Sequence, residues 1–289
     1  MHPYSQALIL GIVEGLTEFL PVSSTAHLRL CQSLMGLALD DGYWKMFAIV
    51  IQLGAILTLP IYFRERIARF LDTFPRGERG ERTMFNHPLT LVAIAFFCTA
   101  APAFLLTKVI GKHLESLVIM GSSLLIGGVV MWVVDALYER GTLHSQTEHV
   151  EQMGPGQAIW IGLCQTLSAL FPGTSRSMST IAAGQISGMT REAALEFSFF
   201  LSIPTMVVAT GYDLFRSLRP HHGEPAAIGH LAMTGQNWVT LGIGFAVSFV
   251  VAYFVVAWFM HWVRTRGFVP FAIYRIVLGV GVLAWALKR

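Results

Sequence analysis

Two glutamates four residues apart, Glu14 and Glu18, stand in an N-terminal segment that is otherwise apolar, with Leu8–Val13 before them and Phe19 and Leu20 after. That spacing puts both on one face of a helix. An acid at the centre of a membrane helix costs roughly 3 kcal/mol. Two on one face repel unless a cation, a proton or an arginine lies between them. The pair points to a divalent-metal site, a general base, or both, because hard cations such as Mg²⁺ take carboxylate oxygens together with substrate phosphate. The bland alternative is a surface hairpin whose acids are merely solvated. The turn PVSSTAH (21–27) follows. Pro21 breaks the helix, and Ser23, Ser24 and Thr25 offer hydroxyls. Capping of the next helix accounts for one of them, and the free N–H groups of that helix also suit an anion. His27 lies three residues beyond Ser24. That distance suits a hydroxyl nucleophile beside a base, or an imidazole that itself attacks or donates a proton.

A second polar cluster, PGTSRSMST (172–180), lies in another apolar setting. Gly173 permits close backbone approach to a ligand. Thr174, Ser175 and Ser177 add hydroxyl donors at the start of a helix. Arg176 is a guanidinium at a turn tip, a group that suits a bidentate phosphate or carboxylate. The competing assignment is a structural salt bridge from Arg176 to Glu14 or Glu18.

The elements that carry these clusters are membrane elements. Of the 289 residues, 54% are hydrophobic and 13% charged, against about 25% charged in soluble domains; mean hydropathy is +0.59. A polytopic membrane protein is expected. A net charge of +3 with basic residues in short connectors excludes a nucleic-acid footprint. Cys31, Cys98 and Cys164 sit in apolar stretches and read as small buried hydrophobes, and no cleavable signal is expected. Residues 6–20 form an apolar run that ends at Pro21, too short for the roughly 20 residues of a crossing. With a short stretch to about Leu37 it reads as a re-entrant hairpin, whose irregular backbone requires protein or a wet cavity around it. Spans are expected at Met46–Phe63, Leu89–Leu106, Leu117–Leu137, Ala194–Phe215, Val239–Val263 and Phe268–Leu287. A basic connector, Arg64–Pro88, holds Arg64, Arg66, Arg69, Arg76, Arg79 and Arg82. A polar linker, 138–156, reads as a hinge, and Gln157–Phe171 is a second short run that ends at Pro172.

An internal repeat relates the two halves. At an offset of 151, Gln6, Ala7, Gly11, Leu16, Pro21 and Ser24 fall on Gln157, Ala158, Gly162, Leu167, Pro172 and Ser175. Each repeat, about 6–137 and about 157–287, is then a re-entrant hairpin plus three spans in one transmembrane domain. Three crossings are odd, so the second repeat starts from the opposite face and the repeats are inverted. Such repeats put the functional site near the midplane at their interface, and the hairpins are expected to meet tip to tip. One side holds Arg29, Lys45, Lys108, Lys112, Arg216, Arg219, Lys288 and Arg289; the other holds the six arginines of the connector plus Arg140, Arg191, Arg264 and Arg266. The positive-inside rule makes the second side cytoplasmic and puts both termini outside.

The repeats have diverged: Gln165, Ala169 and Met178 stand where the first has Glu14, Glu18 and His27. One half keeps acid–base groups and the other an anion clamp, a segregation that suits an enzyme with one phosphate pocket. Glu196 and Arg275 are expected to pair or to line the cavity, Asp135 and Asp213 to be solvated near span ends, and Trp44, Trp132, Trp160, Trp238 and Trp258 to be mostly interfacial anchors.

The chain resembles the bacterial undecaprenyl-diphosphate phosphatases, also called bacitracin-resistance proteins. The likeness rests on EGLTE (14–18), PVSSTAH (21–27), VIQLGAIL (50–57), PGTSRSMST (172–180), EFSFFLSIP (196–204) and FVPFAIYR (268–275), and covers nearly the whole chain. The resemblance implies a multi-pass enzyme of the bacterial plasma membrane, with its site opening to the outer face. It removes the terminal phosphate of undecaprenyl diphosphate with a divalent cation, Mg²⁺ or Ca²⁺, and supplies the monophosphate carrier for peptidoglycan synthesis. It also implies that Glu14 and Glu18 form the acidic, metal-holding motif, Ser24 and His27 the catalytic turn, and Arg176 the phosphate clamp; the hydroxyls and backbone of the two turns add Ser23, Thr25, Gly173, Thr174, Ser175 and Ser177 as candidate phosphate-binding residues. Ala26 replaces a glycine usual in the family, and Ala48 a frequent glutamate. The expected partners are the prenyl diphosphate and membrane lipids. A homodimer is one option, and Ser24, His27 and water all stand as nucleophile. The rival class is a polyprenyl-phosphate transporter or flippase built on the same inverted repeats. A serine protease is more distant, since no G-x-S-x-G is present.

Overall fold

The computed structural model describes residues 2–38, 41–77, 83–106, 116–218 and 233–288. Arg79, Arg82, Lys108, Lys112, Arg219 and Arg289, used above to orient the chain, lie outside them. The described residues form α-helices and two 3₁₀ turns, with no strand among them. In chain order the helices are α1 (Pro3–Thr17), α2 (Ser24–Leu34), α3 (Gly42–Ile56), α4 (Thr58–Tyr62), α5 (Arg64–Thr73), α6 (Pro88–Leu105), α7 (Leu117–Glu139), α8 (Pro155–Leu170), α9 (Arg176–Ile186), α10 (Arg191–Leu218), α11 (Gly235–Thr265) and α12 (Val269–Ala286). Among the described residues six segments are long and apolar enough to cross a membrane: α3 with α4, and then α6, α7, α10, α11 and α12. These are the six spans expected from hydropathy, and the chain is an all-α, multi-pass membrane protein.

The short helices fall where the prolines place them. Proline lacks an N–H and bars the helical region to the residue before it. Accordingly α1 ends at Thr17 ahead of Pro21, and α8 at Leu170 ahead of Pro172. Each is followed by a turn and an 11-residue helix, α2 or α9. The turn holds a non-glycine residue at positive φ, Ser23 at 75° and Ser175 at 71°. The structural offset at the turn is therefore 152, one more than the sequence offset. Ser24 takes the helix-start position that Arg176 takes in the second hairpin, and His27 corresponds to Ser179 rather than Met178.

The chain forms two compact units. The first comprises Met1–Phe19, Ser24–Tyr62 and Ser202–Ala257. In it α1 packs on α2, α3 and α11. A Cβ at Gly15 would lie 2.7 Å from the Cβ of Val251 and 2.8 Å from the Ser248 carbonyl oxygen, so only glycine allows that approach. Ser248 in turn donates to the Ile51 carbonyl at 2.7 Å. The second unit comprises Leu20–Ser23, Phe63–Leu201 and Trp258–Arg289. There α7 packs along α12, and α6 and α9 against α8.

Four sequence expectations change in the second unit. Part of the basic connector is a helix, α5, whose Phe70 is buried while Arg64 and Arg69 are exposed. Its Arg66 binds Glu196 at 2.9 Å and also Glu151. Burial alone would lower the Arg66 pKa, but the two carboxylates more than reverse this and hold it above its ordinary value. Glu196 is thereby taken, and Arg275 binds carbonyls instead, as described below. Asp135, expected at a wet span end, is fully buried. It accepts from Arg191 at 2.7 Å and from the N–H groups of Phe268 and Val269, at 2.7 and 3.2 Å, so it caps α12. Asp213 is exposed, as expected. The linker is no free hinge: Thr147 pairs with Met189 as an isolated bridge, and Glu151 is held by Arg66.

Candidate active site

Glu14 and Glu18 close the last turn of α1, and both are buried, at 0% and 6% exposure. Burial of this degree does not fit the solvated alternative. The Glu14 carboxylate faces that of Glu18, and no N–H or O–H among the described residues donates to either Glu14 oxygen. A buried carboxylate without donors is expensive unless a proton or cation joins it. Glu18 takes the Ser24 hydroxyl on Oε2 at 2.6 Å, the length of a charge-assisted O–H···O⁻ bond. A hydroxyl has one proton, and Ser24 donates it to Glu18 rather than to His27, the partner that sequence spacing suggested. His27 is half-buried on α2, Thr25 is exposed and Ser23 is buried.

Glu14 and Glu18 alone do not enclose a metal, and no group of three or more His, Cys, Asp or Glu side chains suited to one occurs among the described residues. Two carboxylates, one lacking donors, fit a cation whose remaining ligands come from water and substrate phosphate. Mg²⁺ is commonly bound in that way.

The second turn is built on Gly173, at φ 96°. A Cβ there would lie 2.5 Å from the Met120 carbonyl oxygen. Gly173→Ala is therefore expected to destabilise the protein by about 1–3 kcal/mol through backbone strain and displacement of α7, seen as a lower melting temperature in detergent. Ser175 caps α9, its hydroxyl accepting from the Met178 N–H at 3.4 Å and lying 3.1 Å from the Ser177 hydroxyl. Ser177 donates to the Leu20 carbonyl at 2.9 Å. Arg176 donates to the Ser198 carbonyl at 3.4 Å, and the Ser198 hydroxyl lies 2.7 Å from that of Thr180. Thr174 is buried on the same turn. In place of an acid, α8 carries Gln165, which donates to Thr99 at 3.2 Å.

Sequence reasoning missed what joins the turns. Arg275 on α12 is fully buried. It donates to the carbonyls of Pro21 (3.0 Å), Gly173 (3.0 Å), Thr174 (2.9 Å) and Ser123 (3.2 Å). With the bond from Ser177 to Leu20, this fastens the Leu20–Ser23 turn to the Gly173–Ser177 turn. The available signal was a lone arginine in the middle of a span.

Residues 7–281 match the family model described as bacitracin resistance protein BacA. The chain is 69% identical to an undecaprenyl-diphosphatase of Koribacter versatilis, over the full length of both. It is 41% identical to one of Wolinella succinogenes, covering 95% of this chain and 94% of the relative. It is 39% identical to one of Persephonella marina, covering 98% of each.

Proposed function

The chain belongs to the bacitracin resistance protein family, and on that premise we propose that it is an undecaprenyl-diphosphatase, a phosphoric anhydride hydrolase that converts the C55 prenyl diphosphate to the monophosphate. The relatives named above support this reading, since each carries the name of that activity across nearly its whole length. The observation that carries it is the buried pair Glu14–Glu18 with the Ser24 hydroxyl on Glu18. No observation favours the transporter alternative.

In the proposed reaction Glu18 takes the Ser24 proton as the Ser24 oxygen attacks the terminal phosphorus. The prenyl monophosphate leaves, and water then releases phosphate from the serine and restores the hydroxyl. Arg176 and the N–H groups of α9 hold phosphate oxygens, and His27 moves protons to and from water. Glu14 and Glu18 would hold the divalent cation, Mg²⁺ or Ca²⁺, which when bound neutralises phosphoryl charge. Such a transfer depends mainly on positioning and charge neutralisation. Two facts support placing both clusters in one reaction: Leu20–Ser23 lies in the chain between Glu18 and Ser24, and that same turn is bonded to the second one. The inverted relation of the repeats, the plasma-membrane location and an outward-opening site belong to the same proposal. The matched short helices on either side of each turn support the repeat.

The test is phosphate release from a prenyl diphosphate by purified protein in detergent. Release is expected with Mg²⁺ or Ca²⁺ and is expected to stop on chelation and return on adding metal. Protein that binds the lipid but frees no phosphate under any metal condition would rule the enzyme out.

A further inference from the structure

We infer that Arg275 is a positioning residue for the reaction: it holds the two turns in register while no acid among the described residues pairs its charge. The inference rests on the phosphatase reading above. Every partner of Arg275 among the described residues is a neutral carbonyl, three of the four on the turns themselves. A fully buried guanidinium without a carboxylate is costly, so the fold tolerates it only where carbonyls surround its terminal nitrogens: one nitrogen meets Pro21 and the other is shared among Ser123, Gly173 and Thr174, while Nε has no partner among the described residues. One arginine presents five N–H donors in a rigid fork, and this geometry lets a single side chain reach both turns. A lysine has three donors and no fork.

The consequence reaches the substrate side of the turns. A trans peptide sets its N–H opposite its C=O. With the Thr174 carbonyl held on Arg275, the Ser175 N–H is turned to the opposite side of the peptide, at the start of α9 beside Arg176. Pro21 is fixed in the same way, three residues before Ser24. Arg275 thus sets the Leu20–Ser23 turn against the Gly173–Ser177 turn without touching substrate, and its positive charge adds to a field that favours a diphosphate.

The space it occupies is prepared by α7. A Cβ on Gly127 would lie 2.3 Å from an Arg275 terminal nitrogen and 2.7 Å from the Met178 side chain. Gly127→Ala therefore crowds the guanidinium while leaving it in the chain. Arg275→Lys keeps the charge and loses the fork. Displacement of reacting groups by about 1 Å costs on the order of 100-fold in rate.

Both variants are purified in detergent with Mg²⁺, and melting temperature, kcat and KM for a prenyl diphosphate are measured beside the parent protein. The expected result is kcat lower by about 100-fold in Arg275→Lys and by about tenfold in Gly127→Ala. KM should stay within about threefold of the parent, and both variants should remain monodisperse at the assay temperature. Parental kcat in Arg275→Lys overturns the inference. So does a loss of kcat that only tracks the loss of folded protein, since Arg275 would then serve the fold alone. A parent protein without phosphatase activity is a failure of the functional reading, recognised before any variant is compared.

Discussion

Glu18→Gln is expected to lower kcat for phosphate release by about 1,000-fold or more, with the protein still folded. Glutamine has the same shape, and its amide oxygen can still accept the Ser24 hydroxyl that Glu18 holds at 2.6 Å. It cannot take the proton. Loss of a general base alone is worth about 10²–10⁴-fold, and glutamine also removes one of the two carboxylates proposed to hold the cation. The fold should tolerate the change, because replacing one of two facing buried carboxylates by a neutral amide relieves repulsion beside Glu14. Ser24→Ala should show a comparable loss, and the double variant should be little worse than either single one, since residues acting as one unit are not additive. Steady-state phosphate release of the three variants, each normalised to monodisperse protein, is the measurement. Near-parental activity in Glu18→Gln would remove Glu18 as the base, and a double variant that multiplied the two single losses would show that Ser24 and Glu18 act separately.

Asp135→Ala is expected to cost about 3–5 kcal/mol, the usual penalty for breaking a buried ion pair by removing one partner. Asp135 has no exposed surface. It accepts from Arg191 Nε, from two backbone N–H groups at the start of α12, and from Gln185 at 3.4 Å. Alanine would leave the Arg191 guanidinium, itself only 16% exposed, with the exposed Glu139 as its remaining acid, and would leave two N–H groups uncapped. Asp135→Asn retains one oxygen, which in the place of Oδ2 accepts both backbone N–H groups, and should lose distinctly less. The expected result is a collapse in the yield and melting temperature of the alanine variant in detergent, with asparagine intermediate. Equal melting of all three proteins would contradict the role given to Asp135. The site also constrains its neighbour: a Cβ on Gly267 would lie 2.3 Å from Asp135 Oδ2, so the residue before Phe268 has no room for a side chain.

The hairpins show which local features sequence reading captures. Pro21 and Pro172 terminate helices through a missing N–H, an effect that needs no distant residue, and α1 and α8 stop where expected. Pro60 sits inside the first span and divides it into α3 and α4, a break that an average over apolar residues conceals. The one-residue shift in correspondence between hairpins was also hidden. Matching Ser24 with Ser175 maximises identity, whereas the positive-φ residues are Ser23 and Ser175. Identity reports residue type, and the turn is set by backbone dihedrals.

The chain by itself determined its membrane nature, its six crossing segments, the two broken hairpins and the residue types of a phosphate chemistry. Hydropathy, proline and the cost of a buried acid all act over a few neighbouring residues, so their signatures survive in the linear order. Only the tertiary structure decided the partners of the charges. Arg66 meets Glu196 across 130 residues, Asp135 caps a helix 133 residues later, and Arg275 reaches Pro21 across 254. Which buried charge finds which partner depends on how α5, α7, α10 and α12 pack within their unit, and hydropathy does not distinguish one polar residue in a span from another. Ser24 likewise had two candidate partners close in sequence, and the reversal of the chain at Ser23 gave its hydroxyl to Glu18.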